Sequence, residues 1–168
     1  MANPIVEVDT SHGTFSIALD PARAPKTVEN FLRYAAAKHY DGTVFHGVIP
    51  TFMVQGGGFD QRLEKKPTMP PVQNEADNGV KNTRGTVAMA RTSDPHSATA
   101  QFFVNVTDNA FLDHQAKEGP GWGYAVFGRV TGDLDVVDAI KRVKSGAVGQ
   151  FAKDAPIRIA AGLSECRP

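Results

Sequence analysis

The stretch FHGVIPTFMVQGGGF, residues 45–59, holds two short apolar segments separated by a turn. Val44-Phe45-His46 lies before Pro50, and Phe52-Met53-Val54-Gln55 lies before Gly56-Gly57-Gly58. Short apolar runs bounded by glycine or proline are typical of β-strands. This stretch therefore predicts two strands, and the segments on either side of it decide which sheet they join.

Further strands are predicted on both sides of this stretch. Near the N-terminus, apolar residues alternate around the turn at 11–13, which predicts a hairpin; they are Ile5, Val8, Phe15, Ile17 and Leu19. The bounded apolar pattern returns four more times, in Thr86–Met89, Phe102–Val106, Ala125–Phe127 and Pro156–Ile159. The chain as a whole thus predicts about eight strands.

Two segments instead have the period of a helix. After Pro25, which suits a first helical turn, apolar residues recur at 28, 31, 32 and 35 and form one face. The segment from Asp133 to Lys144 predicts a second helix, with Asp133 as its cap and Gly146 as its stop. Its apolar stripe consists of Val136, Val137, Ile140 and Val143.

The order of these elements lacks the regular alternation of strand and helix that parallel sheets require. We therefore expect a mainly β fold, a closed eight-stranded antiparallel β-barrel capped by two α-helices. A length of 168 residues predicts a single domain over residues 1–168. The long polar stretch from Gly56 to Asn82 is expected to be the largest surface loop.

Charge and composition exclude several classes of protein. Eighteen basic and eighteen acidic residues give a formal net charge of zero, which argues against binding to nucleic acid or to an anionic membrane. The longest apolar runs, such as Val87–Ala90, are far shorter than the ~20 residues that span a bilayer. Residues 1–5 do not resemble a secretory signal, so we expect a cytoplasmic protein. The single cysteine, Cys166, excludes an internal disulfide.

The familiar motifs of covalent, metal and nucleotide chemistry do not occur in the sequence. There is no G-x-S-x-G, and the neighbours Asp94, His96 and Ser97 cannot form a triad by proximity in sequence alone. The five histidines lack paired metal spacing, and the glycine runs at 56–58 and 119–123 match neither nucleotide-binding pattern. The sequence predicts a function that needs no cofactor and no metal.

The quoted stretch 45–59 resembles the signature of the cyclophilins, which begins Phe-His-Arg-Val/Ile-Ile and ends Phe-Met-x-Gln-Gly-Gly. Further blocks also match, and they run through nearly the whole chain: Asn74–Ala76, Asn82–Arg91, Ser97–Asn105, Asn109–His114 and Tyr124–Gly128. Phe111, Tyr124 and the short spacer between them resemble the bacterial cytoplasmic branch. The resemblance implies the barrel already expected from the strand pattern.

The resemblance also implies an activity, the cis/trans isomerisation of X-Pro peptide bonds. Amide resonance gives this rotation a barrier of ~18–20 kcal/mol, and no bond to the substrate need be made or broken. A dry cleft with well-placed hydrogen bonds suffices to stabilise the twisted amide. The implied partners are proline-containing peptides and unfolded or folding proteins, because uncatalysed rotation is slow enough to limit folding. With no heptad repeat, a monomer is the default.

By the resemblance, specific residues form the site. The implied catalytic positions are Gly47, Phe52, Gln55, Phe103, Leu112 and Tyr124, and the implied substrate-binding positions are Met53, Ala90, Arg91, Gln101 and Phe111. Ordinary core packing is the alternative for the apolar members. Phe102 and Phe103 are adjacent on a strand, however, so their side chains face opposite ways and only one can be internal. Because Phe111 stands where tryptophan often contacts cyclosporin, the resemblance implies weak binding of that drug.

Gly47 is the main departure from the family pattern, because the family carries an arginine there that is thought to hydrogen-bond the substrate. Loss of about 3 kcal/mol of transition-state stabilisation would slow turnover roughly a hundredfold. Arg91, Arg84 and Arg62 are candidates to replace it, although each is more simply a solvated or structural charge. Two hypotheses follow: a prolyl isomerase with reduced activity, or a proline-peptide binding module with little catalytic activity.

Overall fold

The computed structural model describes residues 3–142 and 157–163, which contain nine β-strands and two α-helices. The strands are β1 Ile5–Thr10, β2 Gly13–Leu19, β3 Val44–Phe45, β4 Gly47–Ile49, β5 Met53–Gly56, β6 Thr86–Met89, β7 Phe102–Asn105, β8 Val126–Gly132 and β9 Ile157–Leu163. The helices are α1 Pro25–Ala36 and α2 Leu134–Lys141. The prediction of a mainly β fold with two helices is confirmed.

The strands form one antiparallel sheet in the order β3-β9-β1-β2-β8-β6-β7-β5-β4. The expectation of a closed eight-stranded barrel is wrong, because the described residues contain nine strands and no ladder joins the two end strands, β3 and β4. Those end strands are consecutive in sequence, with only His46 between them. The sheet must therefore curl so that its two ends lie beside each other.

The main core fills the side of the sheet on which both helices pack. Phe15, Ile17 and Leu19 of β2 are fully buried there, as their alternation predicts. From α1, Phe31 packs into the same cluster, with its ring centroid 5.0 Å from that of Phe127 on β8. Strands β8, β6, β7 and β5 therefore have a second face, which points away from this core and from both helices.

Helix α1 begins at Pro25 as predicted, but its N-terminus is capped from a distance. Ala24, at the cap position, makes no side-chain hydrogen bond. Instead the Glu75 carboxylate accepts hydrogen bonds from the Thr27 backbone N–H and from the Thr27 hydroxyl, both at 2.7 Å. A carboxylate here satisfies a free N–H group and complements the helix dipole. This contact ties α1 to the long connection between β5 and β6.

Helix α2 corrects one detail of the sequence prediction. Asp133 occupies the cap position, but it adopts a left-handed backbone with φ 61° and makes no side-chain cap hydrogen bond. Val137 and Ile140 are fully buried, as the predicted stripe requires. Val143 and Gly146, also part of that prediction, lie outside the described residues. Among the helices in the described part of the chain, neither reaches the length and apolar character needed to cross a membrane.

The connection from β5 to β6, residues 57–85, is irregular as predicted, with one short 3-10 turn at Ala76–Asn78. It is not wholly a surface loop. Gly57 is buried with φ +91°, and a Cβ at this position would lie 2.8 Å from the Tyr40 ring, so only glycine fits here. Val72 forms an isolated bridge with Ala98, which fastens the middle of the connection to the body of the fold.

Candidate functional site

A second, smaller apolar cluster lies on the face of β5, β7, β6 and β8 that is turned away from the main core. Its buried members are Met53, Ala88, Phe103, Leu112 and Val126, and partly buried Phe52, Val80, Ala90 and Tyr124 pack against it. Phe102 belongs to the main core and Phe103 to this second cluster. The prediction that the two neighbouring rings face opposite ways is confirmed.

This cluster forms the floor of a pocket of about 140 Å³. Its lining comes from segments far apart in sequence: Phe52, Met53, Gln55, Ala90, Arg91, Phe103, Leu112 and Tyr124. All eight are among the eleven positions that the resemblance singled out. The structure thus brings most of the predicted site together in one place.

The remaining three predicted residues lie beside the pocket rather than in its lining. Gly47 pairs with Gln55 across β4 and β5. The Gln101 side chain accepts a 3.0 Å hydrogen bond from Nε2 of Gln55, which fixes the orientation of that amide. Phe111 is 68% exposed, and its ring centroid is 5.5 Å from that of Phe52 at the edge of the pocket.

Among the described residues that line this pocket, Arg91 is the one cation. Its guanidinium carbon lies 4.5 Å from the centroid of the Tyr124 ring. Nε donates to the carbonyl of Gly123 at 3.1 Å, and one terminal nitrogen donates to the carbonyl of Thr92 at 2.8 Å. These contacts hold the guanidinium at the rim and leave further N–H donors on it.

The other two candidates to replace the arginine missing at position 47, Arg84 and Arg62, lie away from the pocket. Arg84 forms a two-pronged ion pair with Asp138 of α2, at 2.9 and 3.2 Å. Arg62 is exposed on the long connection, and it is not among the residues lining the pocket. Of the three, only Arg91 lies at the pocket.

Within the described part of the chain, neither the backbone nor the packing requires glycine at position 47. Its φ is outside the left-handed region. A Cβ built there would lie 3.5 Å from Cβ of Gln55 and 3.9 Å from Cε of Met53, which are ordinary van der Waals separations. A side chain at this position would start beside two residues that line the pocket.

A network of three buried asparagines behind the pocket was missed in the sequence analysis. Asn105, which is fully buried, donates to the Asn82 side chain at 3.1 Å and to the Thr86 hydroxyl at 2.9 Å, and it accepts from Nδ2 of Asn109 at 2.8 Å. Buried amides need such partners to offset their loss of water. The sequence held only a weak signal of this, an asparagine at the end of an apolar strand.

The network reaches backbone carbonyls of three residues that line the pocket. Asn109 donates to the carbonyl of Phe52 at 3.0 Å. Asn82 donates to the carbonyls of Leu112 and Tyr124, each at 3.3 Å. Three walls of the pocket are therefore held from behind by side chains that do not line it.

The chemistry available here is that of an apolar cleft with a few polar donors. The described residues contain no group of three or more His, Cys, Asp or Glu side chains that could hold a metal ion. Burial lowers the pKa of His46, the neighbour of Gly47, to about 4, so this imidazole is neutral at pH 7. The pocket can take an apolar ring next to an amide, with donors from Gln55 and Arg91 nearby.

Comparison with known proteins gives consistent matches. A family model described as cyclophilin type peptidyl-prolyl cis-trans isomerase/CLD matches residues 5–161. A peptidyl-prolyl cis-trans isomerase of Streptomyces antibioticus is 61% identical over 153 residues, 91% of this chain and 92% of that protein. Peptidyl-prolyl cis-trans isomerase B of Escherichia coli (strain K12) is 51% identical over 152 residues, 90% of this chain and 92% of that protein.

A solved structure supports the fold. The crystal structure of a cyclophilin type peptidyl-prolyl cis-trans isomerase of Cryptosporidium parvum, determined in the presence of the dipeptide Ala-Pro, matches with a TM-score of 0.77 and 22% identity. The match covers 95% of this chain and 96% of that one. The resemblance noted in the sequence is thereby confirmed, and the chain belongs to the cyclophilin-type peptidyl-prolyl cis-trans isomerase family.

Proposed function

We propose that this chain isomerises X-Pro peptide bonds in the pocket between Phe52 and Tyr124, at a rate reduced by the absence of a side chain at Gly47. The observation that carries the proposal is the convergence of eight residues from separate segments on one apolar pocket of about 140 Å³. The same relatives that share 51% to 61% of the sequence are named as isomerases of this kind.

In this proposal, Phe103, Met53 and Leu112 pack against the proline ring. The apolar walls exclude water, so hydrogen bonds made at the rim are stronger than they would be in solvent. Gln55, oriented by Gln101, offers its amide to the substrate backbone. Binding the twisted amide better than either planar form lowers the barrier, because only differential binding accelerates a reaction.

The proposed substrates are proline-containing segments of unfolded or folding proteins. The Ala-Pro dipeptide present with the Cryptosporidium parvum protein supports a pocket that accepts a small residue followed by proline. In this proposal, the chain is one domain that acts as a monomer and without a cofactor. Weak cyclosporin binding is expected, because exposed Phe111 supplies a smaller ring than the tryptophan common at this position.

A second candidate function is a proline-peptide binding module with little catalysis. One observation favours it: the pocket is complete, while position 47 has no side chain to act on the twisted amide. The two functions share their binding step and differ only in the rate of rotation.

NMR exchange spectroscopy on an Ala-Pro peptide separates the candidates, with an Ala-Ala peptide of equal length as control. Cis/trans exchange at substoichiometric protein, together with amide shifts at Gln55 and Phe103, would support the isomerase. Shifts at the same amides without exchange would support the binding module. If the proline peptide caused no more shift and exchange than the control, both would be refuted.

A further inference from the structure

A second cavity, of about 320 Å³, opens on the same side of the sheet as the proline pocket. We call it the basic groove and define it by Asp20, Arg23, Lys81, Thr86 and Arg129, which are among the residues that line it. They come from the turn after β2, the long connection before β6, and strands β6 and β8. None of these residues belongs to the proposed proline pocket.

The groove carries an excess of positive charge. Three of its defining residues are cations, and the one carboxylate, Asp20, accepts a 3.3 Å hydrogen bond from the backbone N–H of Arg23. Within the described part of the chain, the side chains of Arg23, Lys81 and Arg129 make no ion pair or hydrogen bond. Four other cations of the described residues do form ion pairs with carboxylates: Arg33, Arg84, Lys117 and Lys141.

A β-bulge in β8 turns Arg129 toward this groove. Arg129 pairs with Thr86, and Val126 pairs with Ala88. The two pairs are thus three positions apart along β8 but only two positions apart along β6. Side chains of cross-strand partners lie on the same face of a sheet. An odd number of steps along a strand would normally reverse the face, but the extra residue of a bulge cancels this reversal. Val126, under the proline pocket, and Arg129, in the groove, therefore lie on the same face.

Strand β6 and Ala90, the residue that follows it, set the distance between the groove and the pocket. Thr86 lines the groove, Ala90 lines the pocket, and fully buried Ala88 lies between them on the same face. Four residues at ~3.3 Å each separate the two by about 13 Å. A peptide with its proline in the pocket can reach the groove with residues about three to six positions away, since an extended chain spans ~3.3–3.6 Å per residue.

We propose that the basic groove binds acidic side chains of the same client segment whose proline occupies the pocket. This inference rests on the proposed function, because the client must be bound at its proline. Carboxylates of a client complement the three cations that line the groove, because these cations outnumber its one carboxylate, Asp20, and make no ion pair among the described residues. Each exposed ion pair is weak on its own. The groove therefore raises the affinity for acidic clients that are already bound at their proline, and does not act as an independent binding site.

The test uses Ala-Pro peptides with a Glu-Glu pair four residues before or after proline, and matched peptides with Gln-Gln. The enzyme variants are Arg23→Gln/Lys81→Gln/Arg129→Gln and, as control, Arg62→Gln, which removes an exposed cation outside the groove. We expect at least one Glu peptide to bind about threefold to tenfold more tightly than its Gln partner at low salt. The preference should disappear in the triple variant and near 1 M salt, and persist in the control.

Amide shifts separate failure of this inference from failure of the proposed function. A Glu-dependent shift at Gly79 and Lys81, added to the shift at Gln55, is the expected result. Equal affinity for Glu and Gln peptides, or a Glu preference that survives in the triple variant, would overturn the groove while leaving the pocket intact. Absence of any shift at Gln55 with the neutral peptide would instead refute the function on which the groove depends.

Discussion

Gly47→Arg should raise the rate of X-Pro isomerisation. The substituted side chain would begin 3.5 Å from Cβ of Gln55 and 3.9 Å from Cε of Met53, so it enters beside the pocket without displacing backbone. The backbone at this position is not left-handed, so no conformational strain opposes the change. The pairing of β4 with β5 holds the new side chain on the strand that also presents Gln55.

The expected size of the effect comes from the hydrogen bond that the guanidinium would add. Hydrogen bonds to charged groups contribute ~1.5–3 kcal/mol, and the apolar surroundings of the pocket place this one near the upper end. Since each 1.36 kcal/mol changes a rate tenfold, the gain is roughly a hundredfold if the bond forms mainly in the transition state. The affinity for the planar peptide should change much less.

The assay is NMR exchange on an Ala-Pro peptide at matched concentrations of the wild-type chain and the variant. Gly47→Met serves as control, because it fills similar space without any donor. We expect fast exchange with Gly47→Arg and near wild-type exchange with Gly47→Met. Equal, rapid exchange in the wild-type chain and Gly47→Arg would contradict the role assigned to position 47, because another donor, with Arg91 the first candidate, would then replace the missing arginine.

Three further predictions concern stability. Burial lowers the pKa of His46 from 6.5 to about 4, so the unfolded chain takes up this proton first on acidification. The free energy of unfolding, measured with urea, should therefore fall by about 3 kcal/mol between pH 6.5 and pH 4. The fall should be smaller in His46→Phe, and this histidine should cause no change above pH 6.5. Asn105→Ala removes one hydrogen bond from each of three buried partners and should cost about 2–4 kcal/mol in the same assay, while Asn105→Asp tests whether the loss follows the missing donor. The hydrogen bond from Arg84 lowers the pKa of Asp138, so Arg84→Gln should cost about 0.5–1 kcal/mol at pH 7, with the difference fading as Asp138 is protonated at low pH. A pH-independent loss in Arg84→Gln would contradict this assignment.

The parts of the fold that the sequence predicts are those set by local periodicity. The alternation of apolar residues in β2 and their helical spacing after Pro25 each depend on residues within one element. These patterns therefore predict which side of the strand or helix is buried. The break at His46 could not be found in this way. Strand β4 is three residues long and begins with glycine, and it exists only because β5 pairs with it.

Long-range hydrogen bonds account for the other gaps. The carboxylate that caps α1 comes from Glu75, 48 residues beyond Thr27, and no local rule points to it. The asparagine network joins positions 82, 105 and 109, whose proximity depends on strand pairing and on the 3-10 turn at Ala110–Leu112, which Asn109 precedes. The left-handed backbone at Asp133 could not be predicted either, because aspartate is a common N-cap residue and its sequence position indicates an ordinary cap.

The pocket residues were found through the resemblance, whereas the periodicity alone left them as ordinary core. Only the argument that Phe102 and Phe103 face opposite ways came from the residues themselves, and the two clusters confirm it. The position of Arg91 against Tyr124 needed the structure, because the two residues are 33 positions apart in sequence.

If isomerisation takes place in the pocket, filling the pocket with a larger side chain should stop it. Ala90 lines the pocket and is half-buried, whereas Ala36 at the end of α1 is exposed and is not among the residues that line it. NMR exchange on an Ala-Pro peptide should show catalysis by the wild-type chain and by Ala36→Leu, with at least about a tenfold loss in Ala90→Leu. Undiminished exchange in a folded Ala90→Leu variant would contradict the claim that this pocket is the site of isomerisation.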